Sequence, residues 1–141
     1  MKQLSNTRRV LEDVGEFSRV FLPRWSLRGY QLEPARAIGT AVLARWAGRA
    51  TPGEFAAVFS RQSGKDEMLA QLCAYLLVLF QRRGGQIVVA LPTLRPQGII
   101  ARDRLLERVN STRFRALGRA NSRDGSIVEV GRASVHFLSA A

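Results

Sequence analysis

Between Glu54 and Val109 the sequence alternates segments of two different periods, and that alternation restricts the fold more than any other feature. Glu54 to Phe59 is a short run ending in Val58-Phe59 and reads as a buried strand, followed by a loop over Ser60 to Lys65. Asp66 to Arg83 then places Met68, Leu69, Leu72, Tyr75, Leu76 and Leu79 at helical spacing. Gly84-Gly85 stops that helix just after Arg82 and Arg83, two cations suited to a helix C-terminus. Gln86 to Leu91 contains Ile87-Val88-Val89-Ala90, which reads as a strand buried on both faces. Pro92-Thr93 breaks it, and Gln97 to Val109 is a further helix. The order strand, loop, helix, strand, helix implies a parallel sheet with crossover helices, an α/β fold.

The flanks fit round this centre. Asn6 to Phe21 spaces Val10, Leu11, Val14, Phe17 and Phe21 as an amphipathic helix, with Ser5 or Asn6 as its cap. Pro23 ends it, and Leu22 to Tyr30 reads as an extended linker. Pro34 suits the first position of a second helix, in which Ile38, Val42 and Trp46 share a face and which Gly48 closes. Thr51-Pro52-Gly53 and Asn121 to Gly125 are turns. Ser126 to Val130 and Ser134 to Leu138, on either side of Gly131-Arg132-Ala133, form a C-terminal β-hairpin. His136 alternates there with apolar neighbours and reads as structural.

Charge narrows the partners. The 141 residues carry 22 basic and 11 acidic side chains, a net +11, which favours nucleic acid, nucleotide phosphates or an anionic surface. Only Lys2 and Lys65 are lysine. A GC-rich genome would produce that arginine preference with no function attached. A lysine kept beside a loop glycine, where arginine serves nearly everywhere else, still suggests that a compact ammonium is wanted at Lys65. The lone Cys73 sits in an apolar helical run and reads as a small core residue, and no Cys/His cluster suggests zinc. Met1 to Val20 lacks the apolar stretch of a signal peptide, and Leu76 to Phe80, the longest apolar run, is far too short to cross a bilayer. The expectation is a cytoplasmic protein with no membrane partner.

The chemistry concentrates in Phe59-Ser60-Arg61-Gln62-Ser63-Gly64-Lys65-Asp66-Glu67. A loop between a strand and a long helix can wrap backbone N–H groups round a phosphate, with the positive end of the helix behind them. Gly64 admits a close backbone approach, and Lys65 reaches the outer phosphates. The spacing resembles G-x-x-x-x-G-K-[ST], although Phe59 replaces the first Gly and Asp66 replaces the Mg²⁺-binding Ser or Thr. The alternative is an ordinary helix-entry loop capped by Ser63 or Asp66.

Ser60-Arg61-Gln62-Ser63-Gly64-Lys65-Asp66-Glu67 also resembles the deviant phosphate loop of phage terminase large subunits. Two further segments are similar to that family. Tyr30-Gln31 stands upstream, where the family carries an aromatic-Gln adenine-reading pair. Pro92-Thr93-Leu94-Arg95-Pro96-Gln97 follows the second strand, as the family's Pro-Thr-x-x-x-Gln loop does. The resemblance implies an incomplete P-loop NTPase domain (RecA/ASCE-like) over residues 25–141, behind an N-terminal helix and linker over residues 1–24. It implies ATP and Mg²⁺ as cofactors and Arg61 and Lys65 as the catalytic cations. Nucleotide contacts would come from Tyr30, Gln31, Ser60, Gln62, Ser63, Gly64, Lys65, Asp66 and Glu67, with Asp66 also beside the metal. Arg95 and Arg102 would touch DNA. The implied partners are double-stranded DNA, a portal and a small terminase subunit in a bacterial host cell, and a homo-oligomer stays open for the full-length form.

No apolar strand ending in Asp-Glu occurs anywhere in the chain, and no acid cluster of a nuclease is present. The expectation is a fragment or one piece of a larger packaging ATPase, without hydrolysis by these residues alone. Two rivals remain: the first domain of a DEAD-like helicase or translocase, and a small basic DNA-binding protein whose loop is coincidental.

Overall fold

The structure, a computed structural model, describes residues 7–60 and 62–140. The chain divides into two compact units, Met1–Leu72 and Cys73–Ala141.

In the first unit the expected N-terminal helix is interrupted, and its proposed cap at Ser5 or Asn6 lies outside the described residues. A new helix, α1, spans Val14–Phe21, because Asp13 is extended and its carboxylate accepts the Glu16 N–H at 3.1 Å. Phe17 and Val14 are buried, and the Phe17 and Phe21 rings lie 6.0 Å apart. Pro23–Trp25 forms a 3₁₀ turn within the segment expected to be extended. Helix α2, Gly29–Trp46, starts five residues earlier than Pro34 suggests. The Gln31 side chain accepts the Arg28 N–H at 2.8 Å, which satisfies a backbone donor at the helix start. Pro34 therefore sits inside the helix, where it has no N–H to give. The buried stripe is Gln31, Ala35 and Gly39 rather than Ile38, Val42 and Trp46, and Trp46 is 49% exposed. An ion pair between Arg36 and Asp13 at 2.9 Å joins α2 to the start of α1.

Residues 54–59 form no strand, which corrects the expectation of a buried one before the loop. Phe55 is 46% exposed and Val58 fully so. Apolar, β-prone sequence becomes a strand only when a neighbour accepts its backbone hydrogen bonds, and this segment is paired with none. Helix α3, Lys65–Phe80, follows the loop.

In the second unit, Gly84 ends the α3 segment as expected: its φ is +93° and its N–H donates to the Phe80 carbonyl at 2.7 Å. Cys73 is buried, and that burial pushes its thiol up to about 12, as befits a small core residue. The sheet comprises β1 (Gly85–Leu91), β2 (Ala120–Arg123), β3 (Ile127–Val130) and β4 (Ala133–Ser139), in the order β1-β4-β3-β2. A π-type turn, Leu94–Gly98, with a cis Arg95-Pro96 bond leads into α4, Ile99–Val109. Val128, Val130, Val135, Phe137, Leu105, Val109 and Phe114 are all buried.

The fold is mixed α/β, but the sheet is mostly antiparallel, which corrects the expectation of a parallel one. Only β1 and β4 are parallel, in the register Gly85↔Ala133 to Leu91↔Ser139. Connection length explains the difference. The chain from β1 to β4 passes through α4, β2 and β3, long enough to cross over, whereas short turns join β2 to β3 and β3 to β4 and can link only antiparallel neighbours. The predicted hairpin is β3–β4. The segment expected to be only a turn at Asn121 to Gly125 also contains β2, closed on β3 through Asp124 (φ +56°) and Gly125 (φ +71°). β1 is not buried on both faces: it lies at the sheet edge, with Val89 buried and Val88 59% exposed. Half-buried His136 lies 3.0 Å from the Ser134 hydroxyl through Nε2. No helix among the described residues is long and apolar enough to cross a membrane.

Candidate anion-binding loop

The first unit brings most of the residues singled out from the sequence to one place. The loop before α3 turns tightly, because Gln62 (φ +58°) and Gly64 (φ +85°) are both left-handed. The Ser63 hydroxyl donates to the Ser60 carbonyl and closes the turn. Gly64 then accepts the Met68 N–H at 3.1 Å, so α3 winds directly out of the loop. The N–H groups of the first turn of a helix have no acceptor within it and carry its positive end. Lys65 occupies the first position, exposed, and no hydrogen bond or ion pair engages its ammonium among the described residues. Asp66 is exposed beside it. Arg61 lies outside the described residues.

Gln31 reaches this loop across the chain. Its Nε2 donates to the Gly64 carbonyl at 2.8 Å while its Oε1 holds the Arg28 N–H. Gln31 is only 5% exposed, and one N–H and one lone pair of its amide remain beyond these two bonds. A Cβ at position 64 would meet Gln31 Nε2 at 2.5 Å, so the contact requires glycine. Tyr30 is half-exposed, and its hydroxyl lies on the Gly64 side.

A hollow of about 390 Å³ opens between the loop and the start of α2, lined by the cations Arg24 and Arg28, the acid Glu67, and Trp25, Ser26, Tyr30, Gln31 and residues 62–64. Arg24 stacks over the Trp25 ring at 5.5 Å. A second hollow of about 540 Å³ shares Tyr30 and Ser63 and is walled by α2 and residues 55–60. The loop thus stands between a polar hollow with two arginines and one glutamate and a mostly apolar one.

Sequence reasoning misses Gln71, which stiffens the base of the site. It is fully buried on α3, and its Nε2 donates to Glu67 Oε2 at 3.0 Å and to the Trp25 carbonyl at 2.6 Å. Its Oε1 accepts from the Ser18 hydroxyl at 2.6 Å, and that hydroxyl accepts the Leu27 N–H at 2.9 Å. A buried amide needs such partners, and a glutamine amid the apolar residues of a helix is the available signal. This network occupies Glu67 and sets Trp25 against the loop helix.

Mg²⁺ fits only partly. Among the described residues no three His, Cys, Asp or Glu side chains gather into a metal cluster. Asp66 can offer one carboxylate, and magnesium held at a nucleotide typically takes its other ligands from phosphate and water.

Arg95 and Arg102 lie in the second unit. Arg95 is exposed. Arg102 is committed internally: it donates to the Gly125 carbonyl and pairs with Asp103 at 2.8 Å. Gln97 Oε1 accepts the Thr93 N–H at 3.2 Å and closes the Pro-Thr-x-x-x-Gln segment on itself. The chain matches no family model, no curated protein and no solved structure.

Proposed function

We propose that this chain binds ATP through the loop at residues 60–67 and is the nucleotide-binding segment of a terminase-like DNA-packaging ATPase. The observation that carries the reading is the turn itself. Two left-handed residues, Gln62 and Gly64, lead straight into the N-terminus of a 16-residue helix, with exposed Lys65 at its first position and no partner for it among the described residues. That arrangement concentrates backbone donors, a helix dipole and an ammonium on one small volume, where a triphosphate is stabilised. In this reading Lys65 neutralises the outer phosphates, Arg61 assists, and Asp66 helps hold Mg²⁺. Arg24 and Arg28 add positive charge to the adjoining hollow, and Tyr30 packs near the base. Gln31 uses its remaining N–H and lone pair on adenine while its other bonds hold the Gly64 carbonyl in place. Exposed Arg95 is the proposed DNA contact, since Arg102 is engaged by Gly125 and Asp103, with portal and small-subunit partners in the complete motor.

Hydrolysis needs an acid pair to hold metal and activate water, and no apolar strand of this sequence ends in one. Nucleotide binding without turnover is therefore the activity expected of these residues. The bond from Gln31 to Gly64 equally suits a DEAD-like helicase or translocase, which also couples an upstream glutamine to its phosphate loop.

The test is thermal unfolding against ATP concentration, with and without Mg²⁺, in the wild type and Lys65→Ala. Stabilisation of about 2.7 kcal/mol is expected where ATP reaches a hundredfold excess over its Kd. Lys65→Ala should leave the unliganded protein within about 0.5 kcal/mol of wild type, since the side chain is exposed, and should abolish the shift. An absent shift in the wild type leaves the loop a plain helix entry.

A further inference from the structure

The second unit holds eleven arginines, no lysine and four acids. A GC-rich genome would produce arginine in place of lysine, but not the placement of the acids. All four acids are paired: Asp103 with Arg102, Glu107 with Arg108, and both Asp124 and Glu129 with Arg123. No acid occurs between Glu67 and Asp103, between Glu107 and Asp124, or after Glu129. Those acid-free stretches meet in the fold at Gln81. Its backbone carbonyl accepts the Arg132 N–H at 2.7 Å, from the turn between β3 and β4. Its side-chain Nε2 donates to the Leu117 carbonyl at 2.9 Å, from the loop after α4. Gly84 packs on the Arg132 backbone as well.

One glutamine therefore gathers Arg82, Arg119 and Arg132 from three separate segments, all exposed, with Arg115 on the short 3₁₀ turn Phe114–Ala116 close by in sequence. We propose that this arginine-bearing end of the second unit is a docking surface for the phosphodiester backbone of a nucleic-acid duplex. Guanidinium groups suit that partner because each can hold a phosphate through two hydrogen bonds. Three anchors fixed to a helix end, a hairpin turn and a loop give a spaced rather than a point-like grip. The surface reads backbone and not bases, since phosphate contacts position a protein without specifying sequence. It depends neither on the loop at residues 60–67 nor on nucleotide binding.

The test is anisotropy of labelled duplex DNA and duplex RNA over a salt series, without nucleotide. The triple variant Arg82→Gln/Arg119→Gln/Arg132→Gln should bind more weakly, with a log-log salt slope shallower by about 2–3 units on duplex DNA. A control triple in the first unit, Arg9→Gln/Arg45→Gln/Arg49→Gln, removes the same net charge and should keep nearly the wild-type slope. The singles Arg82→Gln and Arg119→Gln should each lower the slope by about 0.9, which keeps the test sound if the triple unfolds. Loss on either duplex supports the surface, and the more tightly held duplex names its source. Equal losses in the two triples would reduce the effect to diffuse charge and overturn the proposal. So would tighter binding to phosphatidylserine vesicles than to either duplex.

Discussion

Two kinds of turn in this protein rest on left-handed residues, and they do different things. In the second unit Asp124 and Gly125 close β2 onto β3, and Gly131 (φ +57°) turns β3 into β4. In the first unit Gln62 and Gly64 turn the chain into α3. The hairpin turns spend the donors and acceptors around them on the strands they join. The loop turn delivers the chain to a helix start, whose first N–H groups have no internal acceptor, and it borders two hollows. A left-handed backbone is thus no mark of a site by itself. What the chain does next decides whether its polar groups are used up or left to face a ligand.

Substitutions at these glycines break the comparison in graded steps. The largest effect is expected at Gly131→Ala. A Cβ there would lie 2.5 Å from the Gln81 backbone carbonyl oxygen, which cannot step aside as a side-chain tip can. Strain at positive φ adds about 1–2 kcal/mol, so chemical denaturation should report a loss of about 3 kcal/mol or more. Gly64→Ala comes next. It carries the same strain and displaces the Gln31 amide, a hydrogen bond of about 1 kcal/mol, for about 2–3 kcal/mol in all. Here the two turns should part company: Gly64→Ala should also remove the ATP-dependent stabilisation, whereas Gly131→Ala should lower stability without altering the shift. If both variants keep the shift, the loop turn is merely another connector.

Gly125→Ala should be milder, about 1 kcal/mol, because the nearest atom a Cβ would meet is a flexible Arg102 nitrogen at 3.8 Å. The smallest expected effect lies outside both turns and serves as their baseline. The Arg36 guanidinium beside Asp13 holds its carboxyl below the usual carboxylate range, helped by the Glu16 N–H and opposed by partial burial. A depressed folded pKa adds stability that is complete above the unfolded value, about 3.9, and is withdrawn as pH falls through the folded one. Asp13→Asn should flatten that part of the acid-unfolding curve. The pair is part-exposed, so the change should be small and should shrink further in salt.

Most helices and their ends are legible in the amino-acid sequence. Gly84 stops the α3 segment, and Asp124-Gly125 is a readable hairpin signal, although the sequence reading sees only a turn there and misses β2. Ser60 to Lys65 is expected to be a loop, and Ser60 and residues 62–64 are non-helical in the structure while Lys65 already begins α3, but the strand expected before them is absent. The residues that steady the loop, Gln71 above all, are not legible. Ser18, Trp25 and Glu67 are distant from Gln71 or on another turn, and nothing local announces that one amide will hold all three.

By itself the sequence determined that helices occur and where most of them stop, as at Phe21, Gly84 and Val109. A helix closes its hydrogen bonds within four residues, and a stop needs only the right backbone at one or two positions. The starts of α1 and α2, by contrast, were set by Asp13 and by Gln31. Only the tertiary structure decided which apolar runs became strands. Residues 54–59 and Ala133–Ser139 are both rich in apolar residues, yet the first is exposed and unpaired while the second lies between β1 and β3. A strand's hydrogen bonds are completed by a distant neighbour, so its existence, direction and register are properties of the pairing and not of the segment.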